Sequence, residues 1–150
     1  MTERASAGSA AKRGTTARSR SRQRAVEILF EAEQRGSTAL EGIRTRREST
    51  DLQVNAYTQR LVEGVIADQE RLDEALSSYS RGWSLDRMPA VDRAILRVGA
   101  WELLFQDDVP DAVAISEAVA LAAQLSTDGS PEFVNGLLGR LQQVKSTLLA

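Results

Sequence analysis

Four arginines within seven residues, Arg18, Arg20, Arg22 and Arg24, carry the densest chemistry in the chain. A guanidinium fork meets a phosphate with two parallel hydrogen bonds and also lies flat on a nucleobase. Arginines repeated along one helix can therefore grip single-stranded RNA. Arg18, Arg22, Val26 and Phe30 follow one another at i, i+4, so an apolar stripe continues outward as guanidinium groups, with Arg20 and Arg24 on the adjacent face. The second candidate is the segment Ser130-Pro131-Glu132-Phe133-Val134-Asn135-Gly136. Free amides at a helix start attract anions, and Phe133 in that first turn lies either in a core or against a base. Acids gather at Glu102, Asp107, Asp108 and Asp111. Asp107 and Asp108 fall near a helix C-terminus, where the dipole penalises negative charge by roughly 0.3–1 kcal/mol each, and a basic partner would relieve them. A solubilising tail and an ordinary acidic loop are the plainer readings of the two charged segments, and both stay open.

The rest of the composition excludes more than it suggests. With 0 histidines and 0 cysteines there is no disulfide framework, zinc ribbon, thiol nucleophile or imidazole base. No Gly-rich phosphate loop, paired-carboxylate signature or nucleophile elbow appears either. No catalytic residue, metal site or cofactor is expected, and a binding role fits better than an enzyme. No stretch approaches the roughly 20 apolar residues that span a bilayer, and no apolar segment follows the basic N-terminus as in a secretory signal. A cytoplasmic protein without a membrane partner is expected. The net charge of -2 conceals a segregation: Arg4, Lys12, Arg13, Arg18, Arg20, Arg22 and Arg24 face only Glu3 within the first 24 residues, leaving an acidic body. A basic arm on an acidic body suggests nucleic acid at the one and a basic partner at the other.

The elements that must position these groups are all helical. Residues 1–19 lack large apolar side chains after Met1 and read as a disordered basic arm, with order beginning near Arg20 in a domain spanning 20–150. Val26, Leu29 and Phe30 define a first helix stopped by Gly36, with Ser37 and Thr38 as the next cap candidates. Leu40 to Thr50 reads as a brief helix and a loop, and Leu52 to Tyr79 as two helices or one bent helix interrupted near Gly64. Ser80 to Pro89 reads as a connector between halves at about 20–80 and 81–150. A helix apolar on most of its circumference follows Pro89, another follows Pro110, and the last starts where Ser130 can cap, Pro131 suits the first turn and Glu132 complements the dipole. Gly136 and Gly139 suggest a close-packing face. Nothing alternates with period two, so the expectation is an all-α fold of six or seven helices in two sequential groups.

Four segments together resemble the NusB family: Arg20 to Phe30, Asp92 to Leu103, Asp108-Val109-Pro110 through Ile115 to Val119, and Phe133-Val134-Asn135-Gly136-Leu137-Leu138. The resemblance covers about residues 18–142 and implies a bacterial transcription antitermination factor built from two three-helix-bundle halves. It further implies that the protein pairs with NusE, the small-subunit ribosomal protein S ten, to bind boxA RNA of nascent ribosomal transcripts in an antitermination complex with RNA polymerase and other Nus factors. Carried over by position, Arg18, Arg20 and Arg22 would contact RNA and Phe133 would stack on a base, while Phe30 and Asp92 would face NusE; Arg24 and Ser130 are further RNA candidates from their places in the two segments. The family position at Phe30 is often Tyr, so a phenol contact is lost here. Two alternatives remain: a helical protein-interaction adaptor without specific RNA recognition, and the detached RNA-binding domain of a ribosomal RNA cytosine methyltransferase; apolar helical faces could also support a homodimer that hides the RNA surface.

Overall fold

The computed structural model describes the backbone of residues 2–48 and 54–150 and the side chains of residues 17–46 and 54–150. Within them lie seven helices and no strand: α1 (Thr2–Arg35), α2 (Ala39–Glu48), α3 (Ala56–Tyr79), α4 (Ala90–Phe105), α5 (Asp111–Leu125), α6 (Ser130–Gln143) and α7 (Lys145–Leu148). The loop expected after α2, with Thr50 and Leu52, lies outside the described residues, as do the side chains of Lys12 and Arg13.

Local chemistry sets most helix ends. Gly36 closes α1 at φ +64°, a conformation that costs glycine little, and the Ser37 amide reaches back to the Ala32 carbonyl at 3.0 Å. Thr38 and Glu41 then form a reciprocal capping box: the Glu41 amide donates to Thr38 Oγ1 at 3.1 Å, and the Thr38 amide to Glu41 Oε2 at 3.4 Å. Asn55 caps α3 by accepting from the Thr58 amide at 2.8 Å, and its own amide donates to Ser21 Oγ at 2.8 Å, tying the start of α3 to α1. Pro89 and Pro110 stand just before α4 and α5, where a missing N–H is harmless.

The helical backbone of α1 begins at Thr2, so the boundary expected near Arg20 is not where the helix starts. Nucleation is the costly step in helix formation, and the packed turns after Arg20 provide it; alanine, lysine and arginine then propagate well toward the N-terminus. The region from Leu52 onward resolves as a single helix from Ala56.

Helix α4 is the hub. It packs on α1, α3, α5 and α6, and its Ile95, Leu96, Val98, Ala100, Trp101 and Leu103 are all buried. One apolar cluster runs from Val26 and Ile28 of α1 through Leu61, Leu72 and Leu76 of α3 to Leu137, Leu138 and Leu141 of α6. The connector of residues 80–89 therefore links two helical groups without interrupting the core.

Two glycines permit this packing. A Cβ on Gly64 would fall inside the Trp101 indole, and one on Gly99 would lie 2.9 Å from Leu138 Cδ1 and 3.1 Å from Ala118 Cβ. The close-packing face expected at Gly136 and Gly139 is absent: a Cβ on Gly139 meets nothing within 4 Å, and one on Gly136 meets only the end of the Arg140 side chain. The two kinds of site should respond oppositely. Gly64→Ala is expected to destabilise by about 1–3 kcal/mol through overpacking. Gly139→Ala, in open space within a helix, should stabilise by about 0.5–1 kcal/mol. Thermal denaturation of the two variants checks both; similar shifts would refute the packing role of Gly64.

Candidate nucleic-acid interface

The four arginines of α1 separate into different environments. Arg20 is exposed, and Arg24 is half-buried. Arg18 lies over the Tyr57 ring with its guanidinium carbon 4.4 Å from the centroid, and its Nη2 donates to Asp108 Oδ2 at 3.1 Å. That bond, followed by one from the Gln106 amide, holds the exposed Asp108 carboxyl below the usual range.

Arg22 turns inward and is 2% exposed. Its Nε donates to Glu102 Oε1 at 2.7 Å, and its Nη1 lies 3.3 Å from Glu117 Oε1. The Tyr57 hydroxyl donates to the second Glu102 oxygen, and Ser19 Oγ donates to Glu117 at 2.7 Å. Burial works against the Arg22 charge, but the hydrogen bond and attraction from Glu102 outweigh it and raise its pKa further. Burial and the bond donated to Glu102 likewise raise the Tyr57 phenol well above its ordinary value. Arg22 is thus the cation of an internal network, and the expectation that it contacts RNA is corrected. The apolar stripe reaches one turn nearer the N-terminus than its residue types suggest, because α4 and α5 bring carboxylates to meet it. A signal for this was present: Glu102 is an acid in the apolar second half of α4, beside Trp101 and Leu103, and a buried carboxylate needs a partner.

The acidic cluster dissolves in the same way. Glu102 faces inward to Arg22, Asp108 holds Arg18, and Asp111 pairs with Lys145 at 2.8 Å. For these three, the basic groups come from the chain itself.

Asp92 and Ser130 form a second internal group. Asp92, in the first turn of α4, is 0% exposed and accepts from the Ser126 hydroxyl and from Ser130 Oγ at 2.8 Å. Ser130 Oγ also lies 3.1 Å from Ser126 Oγ and 2.8 Å from Thr127 Oγ1. Three expectations are corrected here. Ser130 neither caps α6, whose N-cap is Gly129, nor presents its hydroxyl to RNA. The Asp92 carboxylate is enclosed and engaged by Ser126 and Ser130, an internal role in place of the expected exposed one toward NusE. Phe30 is half-buried against the core on α1.

Phe133 is half-buried, packed on the core at one side and open at the other. Its ring meets the edge of Trp83 at 5.0 Å between centroids and 63° between planes. Together with Arg81, Gly82, Gly129 and Glu132 the two rings line a cleft of about 350 Å³. Trp83 lies in the connector of residues 80–89, where no periodic pattern signals a role; an indole flanked by Gly82 and Ser84 is the one local hint. Among the described residues no cluster of carboxylates is arranged to hold a metal ion, and no helix is long and apolar enough to cross a membrane.

Residues 19–143 match the family model described as the NusB family. The chain is 63% identical over 135 residues to the transcription antitermination protein NusB of Pseudarthrobacter chlorophenolicus, covering 90% of this chain and 99% of that protein. Among solved structures it is similar to T. maritima NusB, with a TM-score of 0.74, 32% identity and coverage of 84% of this chain and 90% of that one. A crystal structure of the antitermination factors NusB and NusE in complex with dsRNA matches with a TM-score of 0.75 at 24% identity, over 85% of this chain and 96% of that one, a likeness of fold.

Proposed function

The chain belongs to the NusB family, and from that premise we propose that it is a bacterial transcription antitermination factor that binds boxA RNA of nascent ribosomal transcripts together with NusE. The observation that carries this reading is the 63% identity to an antitermination protein across 99% of that protein's length. In this role the protein joins other Nus factors on RNA polymerase, in the cytoplasm where transcripts emerge. The charge distribution agrees, since a basic first helix suits RNA and an acidic body suits a basic ribosomal protein.

On the RNA side, the proposed contacts are Arg18, Arg20 and Arg24 of α1, with Phe133 as a stacking ring. Arg18 must exchange Asp108 for a phosphate; both side chains are about half exposed, so solvent already screens the pair and the exchange is inexpensive. Phe30 is the proposed point of contact with NusE.

The test is a gel shift with boxA and scrambled RNA, each with and without NusE. A shift selective for boxA and strengthened by NusE is expected; equal retention of the scrambled RNA would leave only a non-specific polycation. Salt titration adds a second check. Three arginines neutralising three phosphates of a single strand give a slope of log K against log salt of roughly -2. A flat dependence would remove the α1 arginines as the main grip.

A further inference from the structure

We propose that the cleft between the connector and the start of α6 takes a single unpaired guanine of the bound RNA, stacked on Trp83 and read along its edge by Glu132. The proposal rests on the RNA-binding function above and adds to it a base preference and two residues, Trp83 and Glu132.

The cleft has the parts such a site requires. Trp83 is 36% exposed, and the Ser80 hydroxyl donates to its carbonyl, which ties its backbone to the end of α3. Phe133 supports it edge-on at 5.0 Å, so two aromatic surfaces meet at a steep angle, leaving a corner for a third flat group. The volume of about 350 Å³ falls in the range of small-ligand sites. Stacking alone tolerates any base, because every base has a π-face.

Selectivity must come from the polar groups of the lining, which are Glu132 and Arg81. An ionised carboxylate only accepts hydrogen bonds. Guanine is the base that presents two adjacent donors, N1–H and N2–H2, which a carboxylate meets with both oxygens. Adenine and cytosine set one amino group beside an acceptor nitrogen, and uracil sets one N–H between two carbonyls, so each brings lone pairs against Glu132. A carboxylate in an RNA-facing cleft otherwise only repels phosphate. Arg81 at the same cleft supplies the opposite charge for the backbone of the inserted nucleotide.

Tryptophan emission of the full-length chain tests this. Trp101, the other tryptophan, is 7% exposed with Nε1 bonded to Asp68 at 3.2 Å, so a change on adding RNA reports Trp83, and Trp83→Phe should abolish it. The probes are short oligouridines carrying one central guanine, adenine, cytosine or no substitution. The guanine oligomer is expected to quench emission and to bind about tenfold tighter than oligouridine, as a charge-assisted pair of hydrogen bonds allows. Glu132→Gln should cut that preference to below about threefold while leaving oligouridine affinity unchanged or tighter. Equal affinity for all four oligomers overturns the proposal, as does a Glu132→Gln variant that binds all four more tightly by the same factor, which is simple repulsion. If the oligomers bind in a salt-dependent way but Trp83 emission stays constant, the cleft proposal fails and RNA binding stands. If no oligomer or boxA RNA binds with or without NusE, both fail.

Discussion

Arg22→Ala is expected to lower the melting temperature by roughly 10 °C or more while leaving the RNA affinity of the folded fraction within about twofold of wild type. Removing the guanidinium leaves Glu102, 1% exposed, and the largely buried Glu117 facing each other without a cation. An orphaned buried charge costs about 3–5 kcal/mol, far more than the few tenths of a typical surface change. Arg20→Ala is the matched control: its side chain is exposed on the same helix, so stability should hold while RNA affinity falls. The quadruple variant Arg22→Met, Glu102→Met, Glu117→Met and Tyr57→Phe should recover much of the lost stability, because apolar groups of similar size replace the whole network and leave no buried charge or hydroxyl without its partner. Circular-dichroism melts together with filter binding on the same samples separate the cases. A normal melting temperature for Arg22→Ala, with RNA affinity lost, would restore Arg22 to the RNA surface.

Asp92→Lys is expected to unfold a large part of the population near physiological temperature, with a loss of about 3 kcal/mol or more. The carboxylate is fully enclosed, accepts from the hydroxyls of Ser126 and Ser130, and sits in the first turn of α4 where the helix dipole favours an acid. Lysine reverses the charge, removes the acceptor and adds length in a closed space. Asp92→Asn keeps one acceptor oxygen and should cost only about 1 kcal/mol. NusE binding should then track the folded fraction of each variant. Calorimetric titration against NusE, corrected by the melt of each sample, decides it: a Lys variant that melts like wild type but no longer binds would place Asp92 at the interface.

The helices and most of their limits are legible in the amino-acid sequence, because those depend on neighbours within a few residues. Gly36 ends α1, Pro89 and Pro110 precede α4 and α5, and the apolar circumference after Pro89 identifies the hub helix. The family was also legible, since four short segments keep their order and spacing over most of the chain. What the tertiary structure alone decided is which polar groups point out. Periodicity assigns Arg22 to the edge of a stripe, and only the arrival of Glu102 from 80 residues away turns it into the core. Asp92 and Ser130 lie 38 residues apart and each looks like a surface or capping residue until α4 and α6 bring their ends together. Trp83 lies in a stretch with no periodic pattern, so its place beside Phe133 depends on how the connector folds back over α6. A local pattern selects a face of a helix, but the sign and distance of the charges that meet that face are set by chain segments remote in sequence, and on them rests whether an arginine holds the protein together or is left to hold something else.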